Sequence, residues 1–286
     1  MKKLLYRLTN DILFKMLFVQ YPHLLKKLVA ELLGIPHDDI TEFVIRNPEI
    51  PPDAMGDKFC RLDINMIVNG QRVDLEVQVE NEGNYPERSL FIWAREFSTA
   101  ITEGQDYSEL PRTIVISILG FKLFKDAKTF HSEFQVLEVT RREALTDKCA
   151  LHFFELPKLS QQINGACGKE LWLKLFKAET EDDLAKLEAL EVPVMNEAVQ
   201  AYRHVAASPE FRERERLWSK ARFDEAQALN NAARKAAQKA EERANKRWQR
   251  RLDSLATQNE AALANKDAEN AELRAKVEAL LQQLDK

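Results

Sequence analysis

From Glu210 to Lys286 the chain contains neither glycine nor proline. All eight glycines lie at or before Gly168, and the last proline is Pro209. Alanine occurs 17 times in those 77 residues. Good helix formers without a breaker favour one nearly continuous helix. At 1.5 Å per residue such a helix would run for about 115 Å, too long for an ordinary globular domain. The chain is therefore expected to divide near Pro193 to Pro209, with a folded part in front and a long helix behind. Its 286 residues agree, being close to twice a typical domain of about 150.

Charge divides at the same place. Residues 1–208 carry 25 basic and 32 acidic residues, 209–251 carry 13 and 7, and 252–286 carry 4 and 7. The total of −4 argues against a uniformly basic nucleic-acid binder, yet it conceals a middle segment of net +6. In that segment Arg243, Lys246, Arg247, Arg250 and Arg251 fall within nine residues, and Trp218 and Trp248 are interleaved. It reads either as a non-specific phosphate-binding helix or as an ordinary solvated face, with Glu241 and Glu242 as local partners. Beyond it a heptad spacing appears. Ala256, Leu263, Asn270, Val277 and Leu284 take the a positions; Leu252, Asn259, Lys266, Leu273 and Leu280 take the d positions. This seam is apolar at its end and polar in its middle. It predicts self-association, and a buried Asn270 would favour a parallel homodimer. The alternatives are a helix folded back on its own core or a solitary charged helix.

Several classes are disfavoured. No apolar run reaches the roughly 18 residues a membrane span needs. Arg7, Asn10, Asp11 and Lys15 interrupt the N-terminal apolar stretch, so export is not expected. Cys60, Cys149 and Cys167 are odd in number and far apart; they suit a reducing cytoplasm better than a disulfide framework or a zinc site. The five histidines show neither ligand spacing nor an obvious Ser or Cys partner, which argues against Ser-His or Cys-His hydrolysis. There is no GxxxxGK[ST] loop for an NTPase.

The front part alternates helix and strand signals. Thr9 can cap a helix to about Val19, and Pro22 can open a second that ends at Gly34. Thr41–Arg46, Lys58–Val68 and Gln71–Glu80 read as strands, and Pro86–Glu103 as a helix. Arg112–Leu119 is an unbroken β-branched run, hence a buried strand; Glu133–Val139 and Cys149–Leu156 come after it. The pattern predicts an α/β core in which helices flank a mixed sheet.

Asn69-Gly70 is a strong two-residue hairpin signal. It fixes the register, so that Asn65 faces Asp74, Asp63 faces Glu76 and Arg61 faces Gln78. One face, with Ile64, Met66, Val68, Val73 and Leu75, is core. The other carries Arg61, Asp63, Asn65, Arg72, Asp74, Glu76 and Gln78. It is either a solvated outer face or a site. An Asp directly across from a Glu destabilises a bare sheet. A divalent cation held between their oxygens would turn that repulsion into binding.

With these residues in view, Asp63 followed by Glu76-Val77-Gln78 resembles the PD-(D/E)xK nuclease core, with Gln78 at the usual Lys position and Leu62 in place of the Pro. Asn10-Asp11-x-x-Phe14-Lys15, Arg61–Asp63, Leu75–Gln78, Tyr85–Phe97 and Ile118–Phe124 together resemble the recombination-promoting nuclease (Rpn) and transposase family over roughly residues 6–230. The resemblance implies metal-dependent hydrolysis of DNA phosphodiesters. Asp63 and Glu76 would hold Mg²⁺, or another divalent cation such as Mn²⁺ or Ca²⁺, and Gln78 would orient the water or the phosphate. Asp11 would add a third carboxylate, unless it only favours the helix N-terminus. Lys15, Arg61, Arg88 and Arg95 would face DNA; Lys15 could equally pair with Asp11, and Arg88 with Glu87 or a nearby acid. Trp93 is expected in the core. The implied organisation is a nuclease-like domain over 1–180, a helical extension over 181–230 and a long charged helix, read as a coiled coil, over 231–286. The alternative function is a catalytically weak or inactive nuclease-fold protein that binds DNA as a scaffold.

Overall fold

The computed structural model describes residues 2–47, 64–163 and 165–284. Two short helices come first, α1 (Asp11–Gln20) and α2 (Pro22–Leu33). Asn10 caps α1 in place of Thr9: its backbone is extended, and its Oδ1 accepts the Leu13 N–H at 2.9 Å. Thr9 lies one residue too early and is buried. Pro22 opens α2 and Gly34 closes it in the left-handed conformation, φ +69°, as expected.

The strands β1 (Phe43–Ile45), β2 (Ile64–Val68) and β3 (Gln71–Gln78) form an antiparallel meander. Helix α3 (Tyr85–Ser98) then crosses over to β4 (Thr113–Leu119), which lies parallel to β3. Next come β5 (His131–Phe134) and β6 (Cys149–Glu155). The six strands make one mixed sheet in the order β1-β2-β3-β4-β6-β5. Helices α4 (Gly168–Lys177), α5 (Glu181–Glu188), α6 (Pro193–Ala207) and α7 (Pro209–Leu284) complete the chain.

Two elements end earlier than their sequence signals suggest. Helix α3 stops at Ser98 because its last carbonyls are taken by other donors: the Ser98 and Thr99 hydroxyls donate to Arg95 O, and Arg72 donates to Glu96 O and Thr99 O. Strand β5 stops at Phe134 because the next residues pair among themselves, with Leu145 N–H donating to Val136 O and Glu138 N–H to Glu143 O.

Both faces of the sheet are covered, so the central strand β4 is buried throughout. The larger core joins Ile64, Met66, Leu75, Ile116 and Phe154 to α1, α2, α4 and α6. The smaller core lies on the other face, where Val115, Leu119 and Phe153 meet Tyr85 and Ile92 of α3. The chain resolves into two compact units, Met1–Ser219 and Lys220–Lys286. Within the first, Phe211 is buried, its ring edge-on to Tyr6 at 4.8 Å, and Asn10 Nδ2 donates to Glu215 at 3.0 Å. The first turns of α7 are thereby part of that core.

Candidate active site

The Asn69-Gly70 turn sets up the site. Both residues take positive φ, +49° and +74°, as this tight hairpin requires. The expected register holds over every described pair, from Val68↔Gln71 to Ile64↔Leu75, with Asn65↔Asp74 among them. Arg61 and Asp63 lie outside the described residues.

The polar face of β3 is not solvated. Asp74, Glu76 and Gln78 are 2%, 5% and 8% exposed. Helix α3 begins immediately beside this face. Pro86 occupies its first turn, and Tyr85 and Arg88, three residues apart, share one side of that turn. The Tyr85 hydroxyl donates to Glu76 Oε2 at 3.1 Å, and Arg88 Nη2 stands 3.6 Å from Glu76 Oε1. Arg88 therefore pairs across to β3. Burial, and after it the charges of Glu76 and Asp74, raises the Tyr85 phenol well above its ordinary pKa, so it remains a protonated donor. Buried Ser117 is the β4 partner of Glu76 in the parallel register. At the other end of β3, Arg72 donates to Glu96 O at 2.9 Å and to Thr99 O at 3.0 Å. One strand face thus holds both ends of α3.

A second network supports Tyr85 from behind. The Glu155 side chain is fully buried and pairs with Lys158 at 2.5 Å. Its Oε1 accepts the Leu123 N–H at 2.6 Å and the Phe124 N–H at 3.2 Å, and Lys158 Nζ donates to Phe124 O at 2.7 Å. The loop after β4 is clamped in this way, and Phe121 at its start packs edge-on against Tyr85, centroids 6.1 Å apart. Gly120 is required at that corner, since a Cβ there would meet Val79 O at 2.9 Å.

Gln78 Nε2 donates to Glu80 O at 2.8 Å. Asp11 is half-buried in the first turn of α1, and Lys15 is 2% exposed on the same helix, whose apolar residues join the larger core. Arg95 is largely exposed, with Glu96 at 4.0 Å. Trp93 packs against the smaller core, and its Nε1 donates to Thr113 O at 3.0 Å. Among the described residues, no group of three or more His, Cys, Asp or Glu is placed to hold a metal ion, and no helix is long and apolar enough to cross a membrane. Cys149 and Cys167 are free thiols.

Two arrangements escaped sequence reasoning. The position of Tyr85 in the Tyr-Pro-Glu-Arg run was visible, but its role as a donor to Glu76 depends on the crossover geometry. His131 and His152, 21 residues apart, meet across β5 and β6 with ring nitrogens at 3.1 Å. That contact arises from strand pairing and leaves no spacing signal.

Compared with known proteins, residues 8–232 match the family model described as PD-(D/E)XK nuclease family transposase. No curated protein and no solved structure matches the chain.

Proposed function

We propose that this chain, which belongs to the PD-(D/E)XK nuclease family of transposases, is a divalent-metal-dependent endonuclease that hydrolyses DNA phosphodiester bonds. The observation that carries the reading is Glu76, a carboxylate buried on the strand face that the hairpin register assigns to the site and oriented there by Tyr85. Burying a carboxylate is costly unless it is paired, and carboxylate oxygens are hard donors of the kind Mg²⁺ takes. Asp63, one step beyond the Ile64↔Leu75 pair, would be its partner ligand. A cation bound by these two would polarise the phosphate and lower the pKa of the attacking water. Tyr85 holds the Glu76 carboxylate, and Arg88 balances its charge and is, among the described residues, a cation at hand for a phosphate. Gln78, two residues further along the same face, contributes an amide to positioning. Asp11, Lys15, Arg61 and Arg95 are proposed as supporting acid and phosphate contacts. The C-terminal heptad seam would join two copies.

The test compares wild type with Asp63→Ala and Glu76→Ala on supercoiled plasmid in Mg²⁺ or Mn²⁺. Wild type is expected to nick and both variants to lose at least about a hundredfold, the scale of removing an electrostatic transition-state contact. Equal nicking by all three would overturn the site. A second reading rests on the Arg88–Glu76 pair, which is also what a structural pin between α3 and β3 would look like. On that reading the protein binds DNA in EDTA without cleaving it in metal, and a gel shift beside the plasmid assay separates the two.

A further inference from the structure

We propose that one side of α7, from Lys235 to Arg251, is a docking surface for the phosphate backbone of duplex DNA. The helix is continuous over this stretch, and every residue in it is exposed. Continuity fixes the phase of its charges. At about 100° per residue, Lys235, Lys239, Arg243, Lys246, Arg247, Arg250 and Arg251 fall within an arc of about 160°. Glu241 and Arg234 point away from that arc; Glu242 borders it. Seven like charges on one side of a helix repel each other, and a polyanion opposite relieves that repulsion.

Local neutralisation does not account for the stripe. Elsewhere on α7, acids three or four residues away do pair: Glu210 with Arg214 at 3.1 Å, Glu213 with Arg216 at 2.7 Å and Glu272 with Lys276 at 2.7 Å. Glu242 and Lys246 have the same spacing, yet among the described residues none of the seven stripe cations is in an ion pair. The stripe is about 24 Å long, which matches about seven base pairs of B-form duplex. An anionic membrane fits less well. An interfacial helix needs a face of large apolar residues, and between 231 and 251 the only one is Trp248.

The proposal rests on the hydrolytic reading only for the choice of DNA as the polyanion. Its test is therefore run in EDTA, where cleavage plays no part. Binding of the full chain to a 30-base-pair duplex is measured by fluorescence anisotropy across a salt series. Two variants are compared, with helix content checked by circular dichroism. K235Q/K239Q/R243Q/K246Q/R250Q removes five stripe charges. R243A/A244R/N245K/K246N/Q249R/R250Q keeps the composition but moves three cations off the stripe. Each lost phosphate contact should reduce the slope of log affinity against log salt by about 0.9. The first variant is expected to lose roughly 4.5 units of slope and at least tenfold in affinity at low salt, and the second about 2.7 units. Wild-type binding by the rearranged variant would show that phase does not matter and overturn the proposal. So would binding of the wild type to phosphatidylserine vesicles but not to the duplex.

Discussion

Tyr85 and Arg88 are the residues through which α3 acts on Glu76. The Tyr85 hydroxyl is the neutral donor to a buried carboxylate, and Tyr85→Phe removes that donor while preserving the ring packing against Phe121 and Phe153. If Glu76 is a metal ligand, Tyr85→Phe should weaken Mn²⁺ binding by about 10–100-fold, measured by titration calorimetry. Unchanged affinity would assign the contact to stability alone. The Glu155–Lys158 pair makes a different prediction. Lys158→Met leaves a fully buried carboxylate whose compensating cation is gone, and the expected loss is about 3 kcal/mol in urea unfolding. The backbone N–H groups of Leu123 and Phe124 keep it from being larger. The histidine pair sets a pH dependence. Burial drives the His152 imidazole down to about 4; Glu133 opposes this, while His131, Lys169 and Arg112 add to it. His131 is also lowered, first by burial. In the unfolded chain both titrate near the usual value of about 6.5. Between about pH 6.5 and pH 4 the unfolded chain takes up protons that the fold excludes, so stability falls as pH drops through that window. Above it both states are neutral and the dependence vanishes. The slope from His152 alone is up to about 1.4 kcal/mol per pH unit, and His152→Phe should flatten it in urea midpoints taken from pH 7.5 to 4.5.

The hairpin is the element the sequence announced most clearly, and the structure gives its turn a second duty. Asn69 supplies the positive φ, and its side chain also reaches back to the segment before β1. Oδ1 accepts the Thr41 and Glu42 N–H groups at 2.9 and 3.1 Å, and Nδ2 donates to Asp39 O at 2.7 Å. Asn69→Gly keeps the turn conformation but removes these side-chain bonds, together with the one from the Thr41 hydroxyl. It should cost about 1–2 kcal/mol by chemical denaturation, since these bonds are exposed. A loss near zero would mean that the turn alone holds β1 in place. Asn-Gly, the Gly34 cap and the run Thr113–Leu119 were legible because each is a local preference written in consecutive residues. The burial of Asp74, Glu76 and Gln78 was not. Alternation on β3 gave the face correctly, but only the crossover through α3 to a parallel β4 puts a cover over it. The early end of α3 escaped for the same reason, because Arg72, on another element, takes the carbonyls that a longer helix would have used internally.

At the scale of the whole molecule, the net charge of −4 has little meaning, because the opposing charges belong to different segments. The acids of the front unit include the buried carboxylates of β3, whereas the excess of base lies on the exposed helix. The apolar seam beyond the basic stretch of α7 has a different physical cause. Leu252, Leu263, Leu273 and Val277 all keep the heptad spacing and are 56%, 66%, 59% and 54% exposed. Isolated helices gain little from propensity alone, and most helical stability comes from covering an apolar face. A second copy of the same helix would cover this one, with leucine meeting leucine in a parallel register and Asn270 beside Asn270. The polar Asn259, Lys266 and Asn270 interrupt the seam, so the association should be reversible and dependent on concentration. Light scattering is expected to give twice the 33.0 kDa chain mass at high concentration, falling towards one chain mass on dilution. Leu263→Asp combined with Leu273→Asp should hold the protein at one chain mass throughout, without shifting the urea transition of the front unit, because both positions lie in the second compact unit. A wild type that stays at one chain mass at every concentration would leave α7 a solitary charged helix.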